Sequence, residues 1–167
     1  MSQKHPGFEF VIIRPPLVYG AGAPGNFRRA VRAIERGIPL PLARLDKPRS
    51  FVGLDNLLTL IEACIRHPAA ANEVFLAADG EDVSTSQFLR GIAQALNRSA
   101  RLFWLPPPLM RLIARLLRQT RQIDRLLTRL RIDITKARHR LDWHPPVRMS
   151  EGLSRAVRSA RHTGDSA

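Results

Sequence analysis

Gly20, Gly22 and Gly25 stand at the spacing G-x-G-x-x-G within the stretch YGAGAPGN. That spacing suits a turn whose backbone N–H groups, with the helix N-terminus behind them, hold a pyrophosphate. An apolar run, FEFVIIR, precedes the glycines and a helix-like run, NFRRAVRAIERG, follows them. The details argue against a dinucleotide. In a dinucleotide-binding βαβ unit the strand runs straight into the first glycine, whereas Pro15, Pro16, Leu17, Val18 and Tyr19 intervene here. Pro24 stands beside the third glycine, and GIPLPLARLDKP, after the helix, makes a poor central strand because its prolines donate no hydrogen bond. Asp46 lies at the distance of a ribose-binding acid, but in that proline-broken segment. The glycines therefore read as a connection or a substrate loop.

Other reactive side chains are sparse. His5, His67, His139, His144 and His162 are scattered without metal-ligand spacing and without a Ser or Cys partner in sequence, so neither a metal site nor a hydrolase is expected. One cysteine, Cys64, rules out an intramolecular disulfide and a zinc site built on several thiolates, and sets a cytoplasmic expectation. Trp104 and Trp143 read as packing residues.

The elements that would position a site alternate between strand and helix, which is the pattern of an α/β fold. FEFVIIR (8–14) reads as a strand covered on both faces, RSFVGL (49–54) and EVFLAA (73–78) as further strands, and RLFWLP (101–106) as a fourth, stopped by prolines. Asn26 is the expected N-cap of a helix ended by Gly37. Asp55 is expected to cap a second helix with Leu57, Leu58, Ile61 and Ile65 inward, and Ser84 a third over about 86–96. Beyond residue 107 leucines and isoleucines recur at three- and four-residue steps, with arginines between them.

Charge is lopsided. Twenty-seven Lys and Arg against 14 Asp and Glu give +13, most of it arginine beyond residue 97. Such a balance fits an anionic partner, and it also accompanies GC-rich coding. Residues 107–131 form either a helical pair packed on the rest of the chain or an arginine-flanked amphipathic helix for an anionic membrane or a partner chain. Nucleic acid is not expected, since no recognition motif accompanies the charge and aromatics are few. Glu9 and Arg14 interrupt the only apolar run near the N-terminus, which does not read as a signal peptide, and no stretch reaches the ~20 apolar residues of a membrane span.

At RPPLVYGAG (14–22) the sequence resembles the extended short-chain dehydrogenase/reductase superfamily, the NAD-dependent epimerases and dehydratases of nucleotide sugars, with UDP-glucose 4-epimerase as the familiar member. GNF, RGIPLPL, RSFVGLDNL, NEVFLAADGEDVSTSQFLRGIAQALN and DITKARHRLDWHPPVRMSEGL follow in the family's order, over residues 8–156. The nearest flavour is that of the sugar epimerases of bacterial surface-polysaccharide synthesis. The resemblance implies the C-terminal part of a Rossmann-type protein about twice as long. Residues 1–25 would be a remnant of the nucleotide-binding sheet and its connecting loop, and 26–167 the mixed α/β substrate-binding lobe with a helical end.

The resemblance also implies which groups do what. Members use a tyrosinate to take a sugar hydroxyl's proton while hydride passes to NAD, and a lysine four residues on lowers the phenol's pKa. Tyr19 is the one tyrosine here and Ala23 stands four residues later, so no catalytic residue is assigned and the chain alone is expected neither to hold NAD tightly nor to turn over substrate. Pro15 and Pro16 would border the nicotinamide. Leu17, where many members have asparagine, would face the sugar, with Asn26 and Phe27 at the nucleotide. Arg49 would contact the diphosphate, the alternative being a plain surface arginine. Gly53 replaces the usual Tyr or His of its motif. Expected partners are a nucleotide sugar and either a missing N-terminal half or a second copy of the chain, with peripheral membrane contact as the remaining option.

Overall fold

The computed structural model describes residues 8–23, 25–116 and 129–164. Its strands fall into two small sheets. β1 (Val11–Arg14) pairs in parallel with β4 (Glu73–Leu76), placing Ile12 opposite Val74 and Ile13 opposite Phe75. β2 (Leu17–Tyr19) pairs in parallel with β3 (Pro48–Gly53), which pairs antiparallel with β5 (Asp82–Ser84). Pro15 and Pro16 are the two-residue step from one sheet to the other. Neither can donate to a ladder, so both strands end there. The helices are α1 (Asn26–Glu35), α2 (Leu54–Arg66), α3 (Thr85–Ala95), α4 (Pro107–Leu116), α5 (Thr135–Leu141) and α6 (Met149–Gly164).

β3 divides the core, because successive residues of a strand point to opposite faces. Phe51 enters a cluster with Tyr19, Phe27, Phe88 and Leu153, and its ring stacks on Phe88 at 4.1 Å. Its neighbour Val52 enters the other cluster, with Leu60, Phe75, Ala137 and Trp143. Each large apolar side chain so buried contributes about 1.5–3 kcal/mol. The α3 N-terminus is fixed locally: Ser84 accepts from the Gln87 N–H while the Gln87 side chain accepts from the Ser84 N–H, a reciprocal cap.

Several expectations need correction. Asn26 is not the cap of α1 but its first residue; Gly25 takes the cap position at φ 84°, a conformation that suits glycine. Asp55 likewise lies in the first turn of α2, behind Gly53 as cap. On that helix Leu60 and Cys64 point inward, while Leu58 and Ile65 are exposed. Residues 101–106 are not a strand. Residues 40–43 and 101–103 share three backbone hydrogen bonds and one bridge, and Pro39 and Pro41 have no N–H with which to extend the ladder. Trp104 is exposed, unlike Trp143. β1 pairs with β4 alone among the described strands, and Ile12 and Leu76 are left exposed rather than covered. The helix expected over 107–131 is described to Leu116, and residues 117–128 of that expectation lie outside the described residues. No helix of the described residues is long and apolar enough to cross a membrane.

Candidate substrate site and the buried network behind it

Where β2 ends and α1 begins, the chain opens onto a cavity of about 570 Å³ lined by Leu17, Val18, Ala21, Gly22, Ala23, Asn26, Phe27 and Leu54. It brings together three of the expected substrate residues, Leu17, Asn26 and Phe27. Asn26 is exposed in the first turn of α1, where backbone N–H groups lack intrahelical acceptors and carry partial positive charge. That turn holds no acidic residue, so an anion there meets no competing carboxylate from the first turn of the helix. Phe27 contributes differently: its ring is buried, 6.0 Å from Tyr19 and 6.4 Å from Phe88, and serves the core. Apart from Asn26 the lining side chains are apolar or absent. Pro15 and Pro16 do not line this cavity.

Arg49 sits on β3, one strand repeat (~6.6 Å) before Phe51, and Phe51 is the register partner of Leu17. Partners in register share a face, so Arg49, Phe51 and Leu17 lie on the same side of the sheet. Arg49 is half-buried between Val83 and Leu130, and loss of water around its guanidinium pulls its pKa below the ordinary arginine value. Such a partly desolvated, permanently planar fork suits phosphate oxygens. The stretch that follows Leu130 is anchored to the same strand: Ser50 Oγ accepts from the Ile132 N–H at 2.8 Å and donates to Asp82 at 2.6 Å, and Asp82 pairs with Arg131 at 2.7 Å.

Behind the cavity lies a polar network that sequence reading misses. Tyr19 Oη donates to Asp79 Oδ2 at 2.6 Å; Asp79 Oδ1 accepts from the Gly53 N–H at 2.9 Å and from Asn56 Nδ2 at 2.7 Å. Asn56 also exchanges two hydrogen bonds with the backbone of Val147, at 2.8 and 3.0 Å. Burial, then the Asp79 charge, drives the Tyr19 pKa far above the ordinary value of about 10. The phenol is thus held protonated in its hydrogen bond to Asp79. Asp79 lies in the segment AADG, whose turn character hides the role, and the only sequence cue is an acid directly after five apolar residues.

The glycine loop is explained by turns and packing. A Cβ on Gly20 would lie 2.5 Å from Leu54 Cβ, so that glycine permits contact with α2, while Gly22 and Gly25 take positive φ. Asp46, the acid at the distance of a ribose ligand, accepts instead from Ser86 Oγ at 3.2 Å. Among the described residues no group of His, Cys, Asp and Glu could hold a metal.

No family model matches the chain. UDP-glucose 4-epimerase of Vibrio cholerae is 40% identical over 159 residues, covering 93% of this chain and 48% of that protein. The N-acetyl-alpha-D-glucosaminyl-diphospho-ditrans,octacis-undecaprenol 4-epimerase of Escherichia coli O157:H7 is 26% identical over 98 residues, 59% of this chain and 30% of that one. Among solved structures, UDP-glucuronic acid 4-epimerase from Bacillus cereus in complex with NAD superposes with a TM-score of 0.72 at 20% identity, over 99% of this chain and 48% of that one. An epimerase from Methanothermobacter thermautotrophicus superposes with a TM-score of 0.74 at 21% identity, over 98% and 46%. The chain therefore spans about half the length of the first of these relatives. By sequence and by fold it resembles the NAD-dependent epimerases and dehydratases of the extended short-chain dehydrogenase/reductase superfamily.

Proposed function

We propose that the chain is the C-terminal, substrate-binding portion of an NAD-dependent nucleotide-sugar epimerase or dehydratase of surface-polysaccharide metabolism in the cytoplasm, and that it contributes no proton- or hydride-transfer group of its own. One observation carries this reading: Leu17, Asn26 and Phe27 meet at one cavity beside a helix N-terminus, while the only tyrosine is locked behind it as a buried, protonated phenol. Arg49 holds the diphosphate, Asn26 and Phe27 border the nucleotide, and Leu17 presents an apolar wall to the sugar. Pro15 and Pro16 shape the turn beside the nicotinamide of a cofactor bound by other protein. NAD supplies the hydride acceptor when that cofactor is present, and nothing in this chain's glycine loop retains it.

In the same reading β1 and β4 are the last strands of a nucleotide-binding sheet, and the rest of 26–167 is the substrate lobe. The two-stranded extent of this sheet among the described residues and the exposed Ile12 and Leu76 support this, because a parallel pair with one face open is an incomplete sheet. An N-terminal half or a second copy of the chain is the polypeptide that completes it.

Titration calorimetry with UDP and with uridine tests the site. UDP binds and uridine binds far more weakly, and Arg49→Ala lowers UDP affinity about 10- to 100-fold, the worth of a charge-assisted bond to phosphate. Equal binding of UDP and uridine, or an unchanged Arg49→Ala variant, removes Arg49 from the diphosphate.

A further inference from the structure

We propose that the edge formed by residues 38–44 and 101–104, with the start of α4, docks the protein on an anionic phospholipid surface. Ile38 and Phe103 are each 44% exposed and Trp104 is 53% exposed. These positions are neighbours in space: Leu40 N–H donates to Arg101 O, Phe103 N–H to Leu40 O and Ala43 N–H to Phe103 O. The Arg44 guanidinium lies 5.4 Å from the Trp104 ring centroid. Three large apolar side chains left exposed to water on adjoining segments cost solvation free energy, and such patches mark contact surfaces.

Charge selects the occupant. Arg44 and Arg101 are exposed on the two segments and Arg36, Lys47 and Arg98 are exposed within three residues of them in sequence, against Glu35 and Asp46 as the carboxylates of those stretches, and Asp46 already accepts from Ser86. A tryptophan and a phenylalanine ringed by arginines match a bilayer interface, where rings settle at headgroup depth and the cations meet lipid phosphates. The chain then runs into α4, which exposes Leu109, Leu112 and Arg115 while Met110 turns inward. An apolar contact with arginines beside it thus continues along the helix.

The completing half of the fold is not the natural occupant of this edge. Leu40, Leu42 and Leu102 pack behind it on the cluster of Phe27, Phe51 and Phe88. β1, paired among the described strands with β4 alone, packs instead through Val11 and Ile13 on the other cluster, with Phe75 and Trp143. The docking edge and the open sheet therefore sit on different halves of the core. This inference goes beyond the substrate reading and does not depend on it.

The test is binding of the full chain to vesicles of phosphatidylcholine with and without phosphatidylglycerol. Trp143 is 5% exposed, so Trp104 is the responsive fluorophore of the chain's two tryptophans. Expected results are cosedimentation with the anionic vesicles only, weakened by salt, with a blue shift of tryptophan emission and quenching by brominated lipid. Phe103→Ser/Trp104→Ser and Arg44→Glu/Arg101→Glu each reduce cosedimentation roughly tenfold or more, while their thermal midpoints and UDP binding stay at the parent values. No binding, binding indifferent to phosphatidylglycerol, or undiminished binding by the Phe103→Ser/Trp104→Ser variant overturns the proposal. So does self-association or RNA capture that is lost in the same variants while vesicle binding is not. UDP affinity is read separately, so failure here leaves the substrate reading standing.

Discussion

The Tyr19 hydroxyl donates to the buried carboxylate of Asp79 at 2.6 Å, joining residues 60 positions apart. The ring is wedged between two glycines: a Cβ on Gly53 would lie 3.2 Å from its hydroxyl oxygen, and one on Gly152 would lie 3.0 Å from it. The Asp79 carboxylate also gathers the Gly53 N–H and the Asn56 amide, and Asn56 holds the backbone of Val147. One acid thereby fastens β2, β3, α2 and the segment leading to α6. Leu17 and Val18 of β2 and Leu54 at the start of α2 line the cavity, so its shape depends on elements that this knot holds together.

Tyr19→Phe removes one donor and leaves a buried carboxylate oxygen short of a partner, at a cost of about 1–3 kcal/mol. Asp79→Ala strands the phenol, the Gly53 N–H and the Asn56 amide together, and costs more, on the order of 3 kcal/mol or above. Urea unfolding of the two variants measures both losses. If Asp79→Ala unfolds at the parent midpoint, the network does not hold the fold.

Alkaline stability follows from the same phenol. Its folded pKa is raised above the unfolded value of about 10, chiefly by burial. Below pH ~10 the tyrosine is protonated in both states and its contribution is intact; above that value the unfolded chain loses the proton and the folded chain keeps it, so stability falls as pH rises. Tyr19 is the only tyrosine, so phenolate absorbance reports it alone. No phenolate should appear until the protein unfolds, and a smooth titration near pH 10 in the folded state would show a solvent-accessible ring.

Gly152 lies inside α6, where alanine ordinarily gains about 1 kcal/mol over glycine. Gly152→Ala should instead destabilise, because its methyl meets the Tyr19 hydroxyl. Thermal melts of Gly152→Ala in the parent and in Tyr19→Phe measure the coupling, and the penalty should shrink by about 0.5–3 kcal/mol when the hydroxyl is gone. Equal penalties in both backgrounds would place the ring elsewhere.

Much of this was legible locally and little of it at a distance. The Ser84 cap could be read because its partner Gln87 is three residues away, and β3 and β4 because their apolar runs are short and clean. Leu17, Asn26 and Phe27 stand out in sequence by their motif, and the structure places all three around one cavity. The inward face of α2 was misread because Leu58, Ile61 and Ile65 are apolar, yet the roll of the helix follows Asn56, whose amide is buried between Asp79 and Val147. Asp79 itself was invisible. Its partners lie 60, 26 and 23 residues away, and nothing in AADG announces them.

Equilibrium dialysis of the purified chain against UDP-glucose and NAD together, followed by analysis of the sugar, bears most directly on the central claim. The expected result is retention of UDP-glucose, weakened by Arg49→Ala, with no NAD retained and no epimer formed. Stoichiometric NAD on the chain, or any conversion of the sugar in its hands alone, would contradict it.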